Sequence, residues 1–342
     1  MGTKSQRAER LDVIRDLVVL GIERGIHQRS KLQQVAVEEQ LLARASDGKS
    51  LDYTSVYRYF DALRFLKFDG SKKYGVEDDI VWTSSARELA KCGTTNYRTE
   101  TLSEPEKAAF RTNIFLSDAS RQFLSLFCGN HTVPQNQKQF IAMARPVYVI
   151  NVSAKRPPDI EKGDNGWPAE KNVEISFNPE SSKIIRRPTK EFLYTYRYWC
   201  LDTDIIDELN VREAERSGIP KSHSYVLFPL DPTVHVTPDQ FLEMIYSSLG
   251  RKLKRPHVVP IPWLMYQICP QAKVSVKGFN ALLLQAWQEN RNLLHLERGP
   301  GGLIEGEFDP SKRTYSERYG NHRYYLVVNG TIRSNLVIFP VA

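Results

Sequence analysis

The chain has 342 residues, 41% hydrophobic and 25% charged, with a formal net charge of +7. This is ordinary globular composition, long enough for two or three domains with substantial cores. No run of eighteen apolar residues occurs and the first residues, MGTKSQRAERL, are polar and basic, which argues against a membrane span or a signal peptide and for a soluble, cytoplasmic protein.

Four cysteines, Cys92, Cys128, Cys200 and Cys269, lie far apart without a CxxC pair, and the seven histidines form no group at metal-ligand spacing. Reduced, mostly buried thiols are expected, with no metal and no other cofactor. The positive charge is unevenly placed. Residues 251–342 hold thirteen Lys or Arg against six Asp or Glu, whereas residues 1–250 hold thirty-four of each sign. A local excess of this kind is what a phosphate backbone recruits, so the last quarter is a candidate nucleic-acid surface; a solvated basic face is the alternative.

In chain order, Leu11, Ile14, Val18 and Ile22 form an apolar stripe at helical spacing, and Gly25 stands where a helix over about residues 5–24 needs its stop. Ser30 followed by Gln33 is a capping-box pattern that predicts a helix through Leu42, ended by Asp47-Gly48, with Asp52 capping the next. In that third helix, over residues 53–66, Val56, Phe60 and Leu63 commit one face to a core, leaving Thr54, Tyr57, Arg58 and Asp61 on the other. A short basic turn, a hydrophobic strand and another short helix follow, with Lys67, Lys72 and Lys73 at or beside the turn. Over about residues 5–92 the chain resembles the winged helix-turn-helix DNA-binding superfamily. The resemblance implies that residues 53–66 lie in the major groove, with Thr54, Tyr57, Arg58 and Asp61 as readers, and that the wing contacts the backbone. Winged helices also serve as protein-interaction modules.

A polar stretch over residues 92–104 marks a boundary, after which Ser103 and Glu106 predict a capped helix, broken near Ser117-Asp118. PVYVINVS, VEISF and FLYTYRYW then read as strands around the Pro/Gly-rich loop RPPDIEKGDNGWP. Alternation places Tyr194, Tyr196 and Tyr198 on one face of the third strand and Arg197 and Trp199 on the other, either as a core strand or as a stacking platform for unpaired bases. Residues 201–218 read as a helix ended by Gly218, and SYVLFPL as a further strand.

The third unit opens at Thr237-Pro238-Asp239-Gln240, an N-cap, a first-turn proline and a capping Gln in sequence. Its helix stops at Gly250. The basic group Arg251, Lys252, Lys254 and Arg255 precedes a short helix, WLMYQIC, and Ser275 opens another, containing Lys277. The strands LLHLERG and RYYLVV flank a glycine-rich, basic stretch over residues 299–322 that carries Lys312 and Arg313. This is a weaker second match to winged-helix order, with 299–322 as an enlarged wing. Its third helix is apolar around much of its circumference, at Leu282, Leu283, Leu284, Ala286 and Trp287, which predicts burial against the middle domain.

The sequence offers little for catalysis. Pro158-Asp159 with Glu170, Lys171 and Glu174 is superficially like a metal-nuclease arrangement, but residue 172 is Asn where the motif needs Lys, and the surrounding loop is too proline-rich for the required strand. GPGGLIEG at 299–306 lacks the GK[ST] and helix of a phosphate-binding loop.

The reading is therefore an α+β protein: a winged-helix DNA-binding domain over 1–96, an α+β middle domain over 97–233 and a second winged-helix-like basic domain over 234–342. The expected function is non-enzymatic binding of double-stranded DNA, with Arg251, Lys252, Lys254, Arg255, Lys277, Lys312 and Arg313 as C-terminal contacts. Other protein subunits are possible partners and a membrane is not. Suitable roles are a transcription regulator, a replication or partition initiator, or the recognition subunit of a mobile-element or antiviral (phage-defence) system. An interaction scaffold is the competing class, and a metal-dependent nuclease a remoter one.

Overall fold

The computed structural model describes residues 10–42, 53–71, 79–116, 123–127, 132–134, 152–154, 175–177, 190–210, 225–250, 253–297, 326–328 and 331–341. Within them the protein is mixed α+β, helices with small antiparallel sheets. Helix α1 (Leu11–Glu23) buries Leu11, Ile14, Leu17 and Val18. It stops as expected at Gly25, whose φ of +59° is the left-handed conformation that glycine adopts without a Cβ penalty. The Gly25 amide donates to the Ile22 carbonyl and the Ile26 amide to that of Gly21, which satisfies two carbonyls the helix end would leave open. Gly21 is needed for a second reason: a Cβ there would lie 2.2 Å from the Trp82 ring, whose Nε1 donates to the Ile26 carbonyl at 2.9 Å.

Helix α2 (Arg29–Glu38) departs from expectation. Ser30 lies inside it; the N-cap is Gln28, with no side-chain cap. Gln28 is extended because it bridges Asp79, so a tertiary pairing sets the helix start. The helix also ends before Leu42, at a left-handed Gln40. The predicted stops and caps at Asp47, Gly48 and Asp52 lie outside the described residues. Helix α3 (Tyr53–Phe65) follows, ending at a left-handed Lys67, and a second isolated bridge joins Asp69 to Trp82. Segment 79–82 thus runs between the segments at Gln28 and Asp69. Helix α4 (Ser84–Gly93) is capped by the Thr83 hydroxyl, which accepts from the Ala86 amide.

Helix α5 (Glu104–Leu116) begins where Glu106 accepts from the Ser103 amide, the carboxylate half of the expected capping box. Its Phe110 and Ile114 join a single core with α1, α3 and α4. The predicted break at Ser117-Asp118 falls outside the described residues.

Two middle elements are corrected. FLYTYRYW is not a strand but part of helix α6 (Lys190–Asp202). Tyr196, Trp199, Cys200 and Thr203 are buried, a spacing of i, i+3, i+4 and i+7, and the Tyr196 and Trp199 rings meet edge-on at 5.2 Å. The alternation of tyrosines is therefore incidental: tertiary packing along a helical face overrides the strand preference of aromatic residues. Likewise the helix expected over 201–218 is not formed at residues 203–210. The chain turns at a left-handed Asp204, enters strand β4 at Ile206 and leaves it at Asn210, beyond which residues 211–224 are outside the description. Strands β1 (Val133–Pro134), β4 (Ile206–Asn210) and β5 (Tyr225–Pro229) form an antiparallel sheet in the order β1-β5-β4. The expected SYVLFPL strand is β5. Strands β2 (Val152–Ala154) and β3 (Ile175–Phe177) pair antiparallel, as PVYVINVS and VEISF suggested.

Helix α7 (Pro238–Ser248) carries the full capping box of Thr237 and Gln240 and stops before a left-handed Gly250, both as expected. Strand β6 (His257–Pro260), helices α8 (Ile261–Ala272) and α9 (Val276–Glu289) and strand β7 (Leu294–Glu297) follow, with the Ser275 hydroxyl capping α9. RYYLVV supplies β8 (Leu326–Val328), which pairs with β9 (Thr331–Arg333), and β10 (Asn335–Ile338) inserts between β6 and β7. The expected strand pair after α9 is thus completed by β10 rather than by RYYLVV. A second core, formed by α7–α9 and this sheet, includes Phe241, Leu264, Phe279, Leu283 and Leu336.

The two ends of the protein follow one path. Each runs helix, extended segment, helix, helix, extended segment and a last extended segment that lies between the other two, with the pair β8–β9 inserted before the last segment at the C-terminal end.

Candidate nucleic-acid interface

Helix α3 is closed on one side and open on the other. Val56, Phe60 and Leu63 are 2%, 5% and 0% exposed, while Tyr57 is 40% exposed, Arg58 is exposed and Asp61 is half-buried. Thr54 lies in the first turn of α3, with its side chain outside the description. Lys67 is exposed on the left-handed turn that ends α3. Lys72 and Lys73 belong to the segment 72–78, outside the described residues.

The base of that segment is held by a buried carboxylate that sequence reasoning overlooked. Asp69 Oδ2 accepts from Arg29 Nη2 at 3.0 Å and from the Ser71 hydroxyl at 2.9 Å, and Oδ1 accepts from the amides of Ser71 and Val81. Asp69 therefore ties α2 to both ends of the 71–81 connection. Arg64 Nη2 adds a bond to the Ser71 carbonyl. Asp-Gly-Ser at 69–71 is a turn signal, but nothing local in the sequence pairs Asp69 with Arg29, 40 positions earlier.

In the C-terminal unit, α9 turns Phe279, Leu283 and Ala286 into the core and leaves Lys277, Ala281, Gln285 and Gln288 exposed along one face. The expected burial is only partly seen: Leu282, Leu284 and Trp287 are half-buried, because α9 packs chiefly on α7 and α8 of its own unit and touches β4 at one edge. Arg291 lies over the Trp287 ring at 5.0 Å. Lys254 and Arg255 are exposed on the connection from α7 to β6, while Arg251, Lys252, Lys312 and Arg313 are outside the described residues. The described candidates thus fall into two groups, one on and after α3 and the other around α9 and the start of β6.

Among the described residues there is no cluster of three or more His, Cys, Asp or Glu positioned to hold a metal ion. Among the same residues, no helix is long and apolar enough to cross a membrane. Comparisons with protein-family models, with curated proteins and with solved structures give no match for this chain.

Proposed function

We propose that this chain is a non-enzymatic, double-stranded DNA-binding protein of winged-helix type, with α3 and α9 as the helices that enter the major groove. The reading is carried by the two-sided burial of α3: its inner face is sealed into a core, and its outer face presents Tyr57 and Arg58 to solvent. It is supported by the shared path of the two ends, helices followed by an antiparallel pair of extended segments, which is the order in which this class places a reading helix and a wing. The net charge of +7, concentrated beyond residue 250, suits a polyanionic partner. Lys67 and the basic residues around Lys254, Arg255 and Lys277 are assigned to the phosphate backbone, and Arg58 to a base edge.

A bidentate arginine contact to guanine contributes about 1–3 kcal/mol of discrimination. Arg58→Ala, read by fluorescence anisotropy on a selected duplex, is expected to lose affinity in that range while its unfolding free energy stays within about 0.5 kcal/mol of the parent. Duplex affinity unchanged by Arg58→Ala removes α3 as a reader. A chain that binds no duplex but captures a folded protein through this face answers to the scaffold reading.

A further inference from the structure

The two proposed reading helices are connected by packed elements rather than by a tether. Phe68, three residues beyond the end of α3, is buried edge-on against Phe110 of α5, ring centroids 5.5 Å apart and planes at 88°. Helix α5 is in turn bound to the end of α6: Arg111 Nη1 donates to the Thr203 carbonyl at 3.0 Å, and Lys107 Nζ is 2.7 Å from Asp204 Oδ2. From α6, Arg197 Nη2 reaches Glu208 Oε2 on β4 at 2.8 Å. Strand β4 then delivers Asp207 Oδ2 to the amide of Val276, the first residue of α9, at 2.8 Å.

The sheet in the middle of this series has two working faces. Side chains alternate along a strand, and here Ile206 and Leu227 enter the core that holds α1, α3 and α5, while Leu209 and Phe228 enter the core that holds α7, α8 and α9. The backbone continues the join: the Leu230 amide donates to the Ile205 carbonyl, and the Asp231 amide to that of Lys273 at the end of α8. The strands β4 and β5 are a wall common to both cores. A flexible linker lets two modules find their sites over a range of separations; a shared wall does not.

From this we infer that the protein recognises a bipartite duplex, two sequence blocks held at one fixed separation, one block for α3 and one for α9. The inference rests on the DNA-binding reading above. In B-form DNA each added base pair moves the next block by about 3.4 Å and turns it by about 34°. A frame that does not flex must meet that displacement by deforming a stiff duplex or by giving up one block. Lys277, Gln285 and Gln288 are the exposed side chains of α9 suited to phosphate and base-edge contacts, with glutamine matched to adenine.

The test is selection of duplexes from a random-sequence pool by the full-length chain, followed by affinity measurements on the selected site with base pairs inserted between its blocks. The expected result is two blocks at a single separation, with one inserted pair lowering affinity about tenfold or more. Blocks that recur at several separations, a single block, or affinity held within about twofold after insertion overturns the inference while leaving duplex binding intact. Enrichment of no duplex at all overturns the DNA-binding reading itself. In Asp207→Ala, which removes the acceptor for the Val276 amide, the same blocks are expected with a smaller insertion penalty. A folded Asp207→Ala chain with the parental penalty contradicts the route through Asp207, and if the variant does not fold, the insertion series on the native chain decides alone.

Discussion

Arg15 on α1 and Glu106 on α5 form an ion pair, Nη1 to Oε1 at 3.3 Å, with neither side chain reaching solvent. The guanidinium is otherwise satisfied by Asp16 and by the carbonyls of Thr99 and Thr101, and Glu106 also accepts from the Asn96 amide group and the Ser103 backbone. One buried cluster therefore fastens the connection 96–103 to the first helix. Removing one partner of a buried pair costs about 3–5 kcal/mol where the other charge is left alone; Arg15 keeps Asp16, which holds the cost toward the lower end. Glu106→Ala is expected to lose stability in that range by urea denaturation, with Glu104→Ala, exposed and paired only at the surface, losing less than about 1 kcal/mol.

Several helices end at left-handed residues, and only some of those are glycine. Lys273 ends α8 with φ +53° and the Val274 amide bonded to the Cys269 carbonyl. A side chain in this region costs roughly 1–2 kcal/mol, of which glycine's extra unfolded-state entropy returns part. Lys273→Gly is therefore expected to stabilise the protein by about 0.5–1 kcal/mol in thermal or chemical denaturation. Gly25→Ala is expected to do the reverse, by about 1 kcal/mol, through the backbone alone, since a Cβ at Gly25 meets nothing within 4 Å. Destabilisation by Lys273→Gly, or no change in Gly25→Ala, would mean that contacts, not φ, set these helix ends.

The thiols separate by environment. Burial pushes the Cys200 thiol far above its ordinary range, and Cys269 is also buried, whereas Cys92 is half-buried. The thiolate is the reactive form, so alkylation of the native chain followed by peptide mass spectrometry should modify Cys92 well before Cys200 or Cys269, and all should react in denaturant. Native modification of Cys200 at the rate of Cys92 would contradict the packing of α6.

The elements with complete local signals were legible in the sequence. Thr237 and Gln240 box the start of α7, Gly25 and Gly250 end α1 and α7, and Val56, Phe60 and Leu63 fix the inner face of α3. What was not legible depends on distant partners. The start of α2 is set by Gln28 pairing with Asp79, which no local capping rule contains. Helix α6 reads as a strand because its aromatic residues alternate, and only the burial of Tyr196, Trp199 and Cys200 against another element selects the helix. The helix ends at Gln40, Lys67, Asp204 and Lys273 carry no glycine to announce them. Of the candidate site, Tyr57 and Arg58 followed from the phase of α3, while Asp69 with Arg29, and Asp207 with α9, join residues too far apart in sequence to be paired by eye.

Duplex binding through charged contacts, as proposed, is tested most directly by its salt dependence. Each phosphate contact adds about 0.9 to the slope of log affinity against log salt, so contacts by Lys67, Lys254, Arg255 and Lys277 together give a linear fall with a slope steeper than about −3. Measured by anisotropy on a selected duplex from about 50 to 200 mM salt, affinity is expected to decline along such a line, and Lys254→Gln with Arg255→Gln to flatten it by about 1–2 while leaving sequence preference in place. No detectable duplex binding at the lowest salt, or an affinity that does not change with salt, contradicts the account.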